Sequence, residues 1–342
     1  MWETEPQTMP LLDVKNLSVE FRSDGIRRQM VTDISFHLDY GEMLSFVGES
    51  GCGKSISCLS LARLLPPVAR IVSGQVLLET EQGIVDVLQL SPKELRKVRG
   101  GGIAYVFQEP SVSLNPVLRI GDQISEAVRL HCFDVRDVKS EVISLLEQVG
   151  IPEPAVRVRQ YPHELSGGMQ QRVMIAMALS SRPRVLIADE PTTALDVTIQ
   201  AQILELLGKL QKEREMGIIL VTHNLGIVAE LADRVEVMYA GRIVEEGHAE
   251  ELIAHPVHPY TRALLAAVPV LGDKMKNLRT IPGIVPNPGD FPVGCRFSGR
   301  CSRALQLGKA EYCFGELPEM TLVGGPGHRC ACHFAEPGRE GE

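Results

Sequence analysis

The chain has 342 residues, of which 44% are hydrophobic and 23% charged, a composition typical of a globular protein with one large or two moderate domains. Its net charge of -8 argues against a duplex-binding surface, which needs clustered Lys and Arg, and leaves room only for a small nucleic-acid patch. No apolar run approaches the ~20 residues of a membrane-spanning helix, and the acidic start MWETEPQTMP lacks the pattern of a secretory signal.

The first predicted strands lead into a glycine-rich loop. Alternating apolar residues in LLDVKNLSVEF and VTDISFHLDYGEMLSFVG predict short strands before GESGCGKS, residues 48–55, which we call the phosphate loop. Its spacing is G-x-x-x-x-G-K-[ST], and a helix is expected to follow it. In that context backbone N–H groups surround phosphate oxygens, Lys54 reaches the β- and γ-phosphates, and Ser55 binds Mg²⁺. The candidate nucleotide-binding residues are Gly48, Glu49, Ser50, Gly51, Cys52, Gly53, Lys54 and Ser55.

Downstream of the phosphate loop the pattern changes twice. A strand in GGIAYVFQEP is followed, over residues 111–164, by the helical spacing of RIGDQISEAVRLHCF and VKSEVISLLEQVGI, which predicts an inserted helical subdomain. From RVLIADE to RVEVMYAGRIVEEG, apolar runs then alternate with helical segments. This alternation predicts parallel strands that are covered by helices on both faces.

A pair of carboxylates follows one of these strands. VLIADE, residues 185–190, is an apolar run that ends in Asp189 and Glu190. Ligands of open α/β sheets bind at the carboxyl ends of the strands. We therefore expect Asp189 to hold Mg²⁺ and Glu190 to polarise the attacking water as a general base. A strand that is merely capped by acidic residues is the alternative.

The segment LSGGMQQR, residues 165–172, is the most specific motif of the chain, and we call it the signature segment. It resembles the signature motif of the ATP-binding cassette (ABC) ATPases. The resemblance covers roughly residues 11–255 and implies an α/β fold: an ABC-type P-loop ATPase core with an inserted helical subdomain and an antiparallel β part. It also implies a dimer of cassettes, because in this family the signature of one subunit closes over the γ-phosphate bound by the other. The signature residues are Ser166, Gly167, Gly168 and Gln170.

Four further positions carry the residue that the family uses. Phe21 resembles the aromatic that stacks on adenine. Gln108 of VFQEP resembles the glutamine that contacts Mg²⁺ and the water, and Asp196 of ALD resembles a residue of the loop facing the opposite subunit. His223 of LVTHN resembles the histidine that contacts the γ-phosphate and orients the catalytic glutamate. The resemblance therefore implies an active ATPase with ATP and Mg²⁺ as cofactors.

Two motifs of the C-terminal region resemble those of one subgroup of this family. HPVHPYTRALLAAVP, residues 255–269, and the later GCRFSGRC resemble the C-terminal extension of ATP-binding subunits from bacterial dipeptide/oligopeptide importers, a group that includes nickel importers. We predict a cassette over residues 1–255 and a small Cys-rich extension over residues 256–342. The implied partners are a second ABC ATPase subunit, commonly a non-identical one, two transmembrane permease subunits and, indirectly, an extracytoplasmic solute-binding protein. The resemblance also implies that the protein is bound peripherally to the cytoplasmic face of the bacterial plasma membrane.

Five of the eight cysteines lie in the last fifty residues, in the order C-x5-C-x11-C-x16-C-x-C. This order differs from the C-x2-C pairs of common zinc modules. Some members of the resembling group carry a [4Fe-4S] cluster at such cysteines, and four thiolates are its usual ligands. The resemblance assigns Cys295, Cys301, Cys313 and Cys332 to the cluster and leaves Cys330 as a spare. Zinc and free structural thiols are the alternatives.

Two other functions fit parts of the sequence. A soluble ABC protein that acts on nucleic acid would share the cassette, but such chains usually carry coiled coils or two cassettes. A regulatory subunit with little turnover would not need Glu190 and His223. The transported solute, whether peptide, nickel chelate or another, depends on the membrane and binding subunits and is not encoded in this chain.

Overall fold

The computed structural model of the protein describes residues 9–23, 25–193, 195–267 and 281–335. These residues form two β-sheets with helices around them. The strands are β1 (Leu12–Ser23), β2 (Ile26–Leu38), β3 (Met43–Val47), β4 (Ala69–Thr80), β5 (Gly83–Asp86), β6 (Ile103–Val106), β7 (Val185–Asp189), β8 (Gly217–Thr222), β9 (Arg234–Tyr239), β10 (Arg242–His248), β11 (Thr321–Leu322) and β12 (Arg329–Cys330).

The helices cover both faces of the larger sheet and form a separate cluster in the middle of the chain. They are α1 (Lys54–Leu61), α2 (Pro92–Lys97), α3 (Pro110–Ser113), α4 (Ile120–His131), α5 (Val138–Gln148), α6 (Pro154–Arg157), α7 (Gly167–Leu179), α8 (Val197–Arg214), α9 (Leu225–Leu231), α10 (Ala249–Ala254), α11 (Pro259–Ala266), α12 (Ser302–Gln306) and α13 (Ala310–Gly315). No helix of the described ranges is long and apolar enough to cross a membrane.

The larger sheet determines where the functional residues meet. Its strand order is β11-β12-β10-β9-β3-β8-β7-β6, and the five strands from β9 to β6 run parallel. Val47 at the end of β3 pairs with Thr222 at the end of β8, and Asp189 at the end of β7 pairs with Val221. The carboxyl ends of β3, β7 and β8 therefore form one edge, which is the edge that open α/β sheets use for ligands.

The central strands are buried because they are apolar on both faces. Every residue of β3, β7 and β8 is buried. Alternate residues of β7 enter different cores: Leu186 packs on the side of α4, α5, α7 and α8, whereas Ile187 packs on the side of α1 and the smaller sheet. Each fully buried side chain of this kind contributes about 1.5–3 kcal/mol to folding. The prediction of parallel strands covered on both faces is confirmed.

The smaller sheet has the order β2-β1-β4-β5 and is antiparallel throughout. It is the antiparallel β part that the resemblance implied. The helices between β6 and β7 form the predicted helical cluster, in which α4 and α5 pack their apolar faces against α7. The fold class is thus as expected, and the exact domain boundaries stay predictions.

The C-terminal extension continues the sheet of the cassette. Strand β12 pairs with β10, through Glu245↔Cys330 and Glu246↔Arg329. The buried Glu245 carboxylate accepts hydrogen bonds from the backbone N–H groups of Val257 (2.7 Å) and His258 (3.0 Å) and lies 2.8 Å from His328 Nε2. This carboxylate therefore ties the start and the end of the extension to the same strand.

Candidate functional site

The phosphate loop joins β3 to α1, as the sequence predicts. Gly48, Gly51 and Gly53 have positive φ angles of 150°, 78° and 110°. A Cβ on Gly48 would lie 2.3 Å from the carbonyl oxygen of Met238, so only glycine fits there. The loop therefore keeps its backbone close to β9, and its glycines adopt the conformations that a phosphate-cradling turn needs.

Lys54 begins α1 and is buried. Its ammonium group donates hydrogen bonds to the carbonyl oxygens of Gly48 (2.7 Å) and Glu49 (3.1 Å). It also lies 3.8 Å from Cys52 Sγ. A buried cation whose hydrogen-bond partners are neutral gains from a negatively charged partner. Lys54 is therefore placed to exchange these carbonyls for phosphate oxygens.

Ser55 and Asp189 meet although they are 134 positions apart in the chain. The Ser55 hydroxyl donates to Asp189 Oδ1 over 3.0 Å, and the Tyr105 hydroxyl donates to Asp189 Oδ2 over 2.6 Å. Burial raises the pKa of Asp189, and these two hydrogen bonds oppose the rise. The hydroxyl and the carboxylate form a pair of oxygen ligands suited to Mg²⁺.

Glu190 follows β7 with a positive φ of 45° and is the centre of a second polar group. Its Oε2 accepts hydrogen bonds from Gln108 Nε2 and Thr193 Oγ1, both over 2.9 Å. His223 Nδ1 lies 3.5 Å from Oε1. Glutamine, glutamate and histidine come from the ends of three strands, so the predicted catalytic residues converge at one edge. Gln108 and His223 are exposed, and a ligand can reach them.

The signature segment lies at the start of α7. Ser166 caps the helix by accepting a hydrogen bond from the backbone N–H of Met169, and both Ser166 and Gly167 are exposed. A Cβ on Gly168 would lie 2.7 Å from the side chain of Ile199, so glycine permits α7 to approach α8. Gln170 binds the backbone oxygens of Pro162 and Leu165 and thereby fixes the turn before the helix.

The remaining predicted nucleotide contacts are more dispersed. Asp196 is exposed and caps α8 by accepting from the backbone N–H of Ile199 over 3.0 Å; Ala194 of the same ALD motif lies outside the described residues. Phe21 lies half-buried near the end of β1, opposite Arg28 and Ala69. Ser50 is exposed and Cys52 is buried, and burial raises the pKa of the Cys52 thiol.

Four cysteines of the extension line one small pocket, which we call the cysteine pocket: Cys295, Cys301, Cys313 and Cys332. Burial raises the pKa of Cys295 to about 12, and the three other thiols add to the rise. Cys330 does not line this pocket and is buried in β12. Among the described residues, no group of three or more His, Cys, Asp or Glu is arranged to hold a metal ion, so neither the iron–sulfur cluster nor zinc has support from this geometry.

Sequence reasoning missed several residues that organise the site. Tyr105 holds Asp189, and Thr193 holds Glu190; both lie within a few positions of a motif, which was the only available signal. The side chain of Glu49 is turned to the extension, where Arg300 binds its carboxylate and the Tyr260 hydroxyl accepts from its backbone N–H; its contact with the nucleotide stays a prediction. No motif of the sequence links these two residues to the phosphate loop.

Comparison with known families and relatives agrees with this geometry. The family described as ABC transporter matches residues 31–193, and the family described as Oligopeptide/dipeptide transporter, C-terminal region, matches residues 244–306. A Brucella abortus (strain 2308) protein named as a peptide import ATP-binding protein is 49% identical over 325 residues, which are 95% of each chain. A Brucella ovis protein with the same description is 50% identical over 323 residues, which are 92% of this chain and 94% of that protein.

Solved structures with a similar fold include proteins of ABC transporters. The cassette MJ0796, in a dimeric post-hydrolysis state bound to ADP and Pi, has a TM-score of 0.61 and 26% identity, and the match covers 70% of this chain and 99% of that one. The protein cbiO1 of Clostridium perfringens, part of the transporter complex cbiONQ, has a TM-score of 0.60 and 30% identity, with 72% and 91% covered.

Proposed function

This chain belongs to the ABC transporter family, among the peptide import ATP-binding proteins, and from that premise we propose that it hydrolyses ATP to power the import of short peptides through separate membrane subunits. One observation carries the proposal. The phosphate loop, the Ser55–Asp189 pair and the Glu190 group converge at one sheet edge, in a chain that also carries the transporter-type C-terminal region.

The roles of the ATP-handling residues follow from their contacts. Lys54 and the backbone of the phosphate loop bind phosphate oxygens. Ser55 and Asp189 would hold Mg²⁺, which when bound neutralises charge on the phosphates. Glu190, held by Gln108 and Thr193, accepts a proton from the attacking water. His223, next to the same carboxylate, orients it and reaches toward the γ-phosphate.

A second cassette completes the site. Ser166, Gly167 and Asp196 are exposed and cap or begin helices, whose N-terminal N–H groups bind anions. We assign them, with Gly168 and Gln170, to the nucleotide bound by a partner subunit. ATP binding then closes two cassettes, and hydrolysis reopens them. The known cassette dimers in this fold support such an arrangement, and a non-identical partner is our preference.

Contacts with the membrane subunits would involve the helical cluster. It exposes the apolar side chains of Val112, Val117 and Phe133, each more than 75% accessible. Exposed apolar groups in one region mark an interaction surface. We assign this surface to two transmembrane permease subunits, which place the chain peripherally on the cytoplasmic face of the membrane. The solute-binding protein acts on the opposite side and touches this chain only indirectly.

The number of thiols in the cysteine pocket is the observation that favours a cluster. A [4Fe-4S] cluster is usually held by four cysteine thiolates. The four thiols line one pocket, from three separate segments of the extension. We therefore infer that Cys295, Cys301, Cys313 and Cys332 hold a [4Fe-4S] cluster, which would fasten these segments together.

The importer function is tested by capturing tagged full-length protein from gently solubilised membranes and identifying the bound chains by mass. Recovery of two multi-spanning proteins and a second cassette supports the proposal. Stimulation of ATP turnover in that complex by peptides, and not by nickel chelates, then identifies the solute. Recovery of ribosomes or DNA-repair proteins, or of no partner, would instead favour a soluble ABC ATPase.

A further inference from the structure

The C-terminal extension contacts the phosphate loop directly, through Glu49. The backbone N–H of Glu49 donates to the Tyr260 hydroxyl over 2.8 Å. Its carboxylate forms a bidentate pair with Arg300, in which Nη1 lies 2.6 Å from Oε2 and Nη2 lies 3.0 Å from Oε1. The carbonyl of Glu49 accepts from Lys54. All three polar parts of Glu49 are therefore occupied, two of them by the extension.

Arg300 is itself held rigidly. Only 8% of its side chain is accessible. Its Nε donates to the carbonyl of Pro282 over 2.7 Å, and Nη1 donates to the Tyr239 hydroxyl over 3.2 Å. Bidentate, charge-assisted pairs of this kind are among the strongest hydrogen bonds of proteins. Because Arg300 and Glu49 are each held by further hydrogen bonds, their pair fixes the phosphate loop relative to the extension.

Packing reinforces the contact. Tyr239, Tyr260 and Phe297 form an aromatic cluster with ring centroids 4.7–5.4 Å apart. Phe297 lies three residues before Arg300, in the same 3₁₀ turn region. The extension also contacts the phosphate loop indirectly, through the turn after β9. Arg296 of the extension donates to the carbonyl of Ala240 in this turn, and the N–H of the next residue, Gly241, donates to the Cys52 carbonyl of the phosphate loop over 2.7 Å.

We propose that Arg300 and Tyr260 are positioning residues of the ATP site: through Glu49 they hold the first half of the phosphate loop in its nucleotide-binding conformation. The inference rests on the proposed ATPase function. A binding loop that is already ordered loses less entropy when its ligand binds. The extension thus raises the affinity for ATP and leaves the chemical step to Glu190, which has no hydrogen bond or ion pair with the part of the extension that the structure describes.

Binding of MgATP to the full-length chain, measured by calorimetry, tests the proposal together with steady-state ATP turnover. We expect Arg300→Ala to raise the Kd and the KM for ATP about tenfold and to keep kcat within about twofold of wild type. Arg300→Lys retains the charge but loses the bidentate geometry, and Tyr260→Phe removes only one hydroxyl, so both should show smaller rises in Kd. These two variants keep the test valid if Arg300→Ala does not fold.

The matched control is Arg329→Ala. Arg329 also links the extension to the cassette, because it pairs with Glu246 on β10 over 2.9 Å, but it does not contact the phosphate loop. Its Kd for ATP should equal that of wild type. Combining Arg300→Ala with Glu49→Ala should weaken ATP binding no further than the worse of the two single changes, since both remove the same pair.

Three outcomes would overturn the inference: an unchanged Kd in Arg300→Ala, an equal rise in Arg329→Ala, or a loss confined to kcat. Failure of the wild-type chain to bind MgATP at all would instead contradict the proposed ATPase function. The two failures are therefore distinguishable.

Discussion

We call the carboxyl ends of β3, β7 and β8, with the phosphate loop, the ATP edge. The ATP edge and the cysteine pocket differ in which groups surround their polar side chains before any ligand binds. At the ATP edge, Asp189 and Glu190 each accept two hydrogen bonds from side chains. In the cysteine pocket the thiols share their surroundings with aromatic rings, among them Phe297 and Phe334, and burial raises the pKa of Cys295, Cys313 and Cys332. The carboxylates of the first region are thus held by neighbouring side chains, whereas in the second region burial favours the neutral thiol.

The difference has a structural origin. The ends of parallel strands lie at one edge with a fixed register, so β3, β7 and β8 position their terminal residues without help. The cysteine segments are joined by apolar packing, short helices and backbone hydrogen bonds, such as that from Cys295 N–H to the Cys313 carbonyl over 2.7 Å. Small units with little regular structure usually need a metal or a disulfide for stability.

Removal of the general base should slow ATP hydrolysis and leave the nucleotide-binding residues of the ATP edge in place. We expect Glu190→Gln to lower kcat about 10²–10⁴-fold, because the amide cannot take a proton, while MgATP still binds. Single-turnover hydrolysis and calorimetric binding measure the two effects. Glu215→Gln, an exposed change after α8, is the matched control. Unchanged turnover in Glu190→Gln would remove this residue from the base role.

Removal of the Lys54 ammonium group from the phosphate loop should weaken the binding of MgATP. Lys54→Ala leaves the carbonyls of Gly48 and Glu49 without their donor and removes a positive charge from the phosphates. We expect the Kd for MgATP to rise about a hundredfold. Lys97→Ala, an exposed lysine at the end of α2, should bind normally. If Lys54→Ala binds as tightly as this control, the phosphate loop does not hold the nucleotide.

A third change tests the other side of the comparison, the dependence of the cysteine pocket on its ligand. Cys313→Ala in anaerobically purified protein should abolish iron content and visible absorption, and should lower the melting temperature by about 5 °C, roughly 2 kcal/mol for a chain of this size. Cys330→Ala, which changes a buried cysteine outside the pocket, should keep the iron. Wild-type protein that contains no iron would exclude the cluster.

The ATP edge and its contact with the extension differ in how far the sequence predicts them. Continuous apolar runs predicted β3, β7 and β8, and the rule for parallel strands brought Ser55 and Asp189 together across 134 positions. The contacts of Tyr260 and Arg300 with Glu49 span 211 and 251 positions and follow no periodicity or motif. They depend on how the extension folds back on the sheet, and such a path is not encoded in any local pattern.

The smallest expected effect concerns a hydroxyl that the sequence did not identify, that of Tyr105. Burial raises the pKa of Tyr105, so its hydroxyl stays protonated and donates to Asp189. Burial also raises the pKa of Asp189, and this hydrogen bond opposes the rise. In Tyr105→Phe the pKa of Asp189 should therefore lie higher than in wild type.

Asp189 must be ionised to bind Mg²⁺, so its protonation on acidification removes activity. The acidic limb of kcat/KM in Tyr105→Phe should consequently lie at higher pH than in wild type, with a loss of about threefold within the limb and little change above it. Tyr40→Phe, which removes a half-exposed hydroxyl near Arg184, should leave the profile in place. A uniform loss of kcat/KM at every pH would mean that Tyr105 acts on the ATP edge by packing alone. A shifted acidic limb would show that its hydroxyl also lowers the pKa of the metal-binding carboxylate, Asp189.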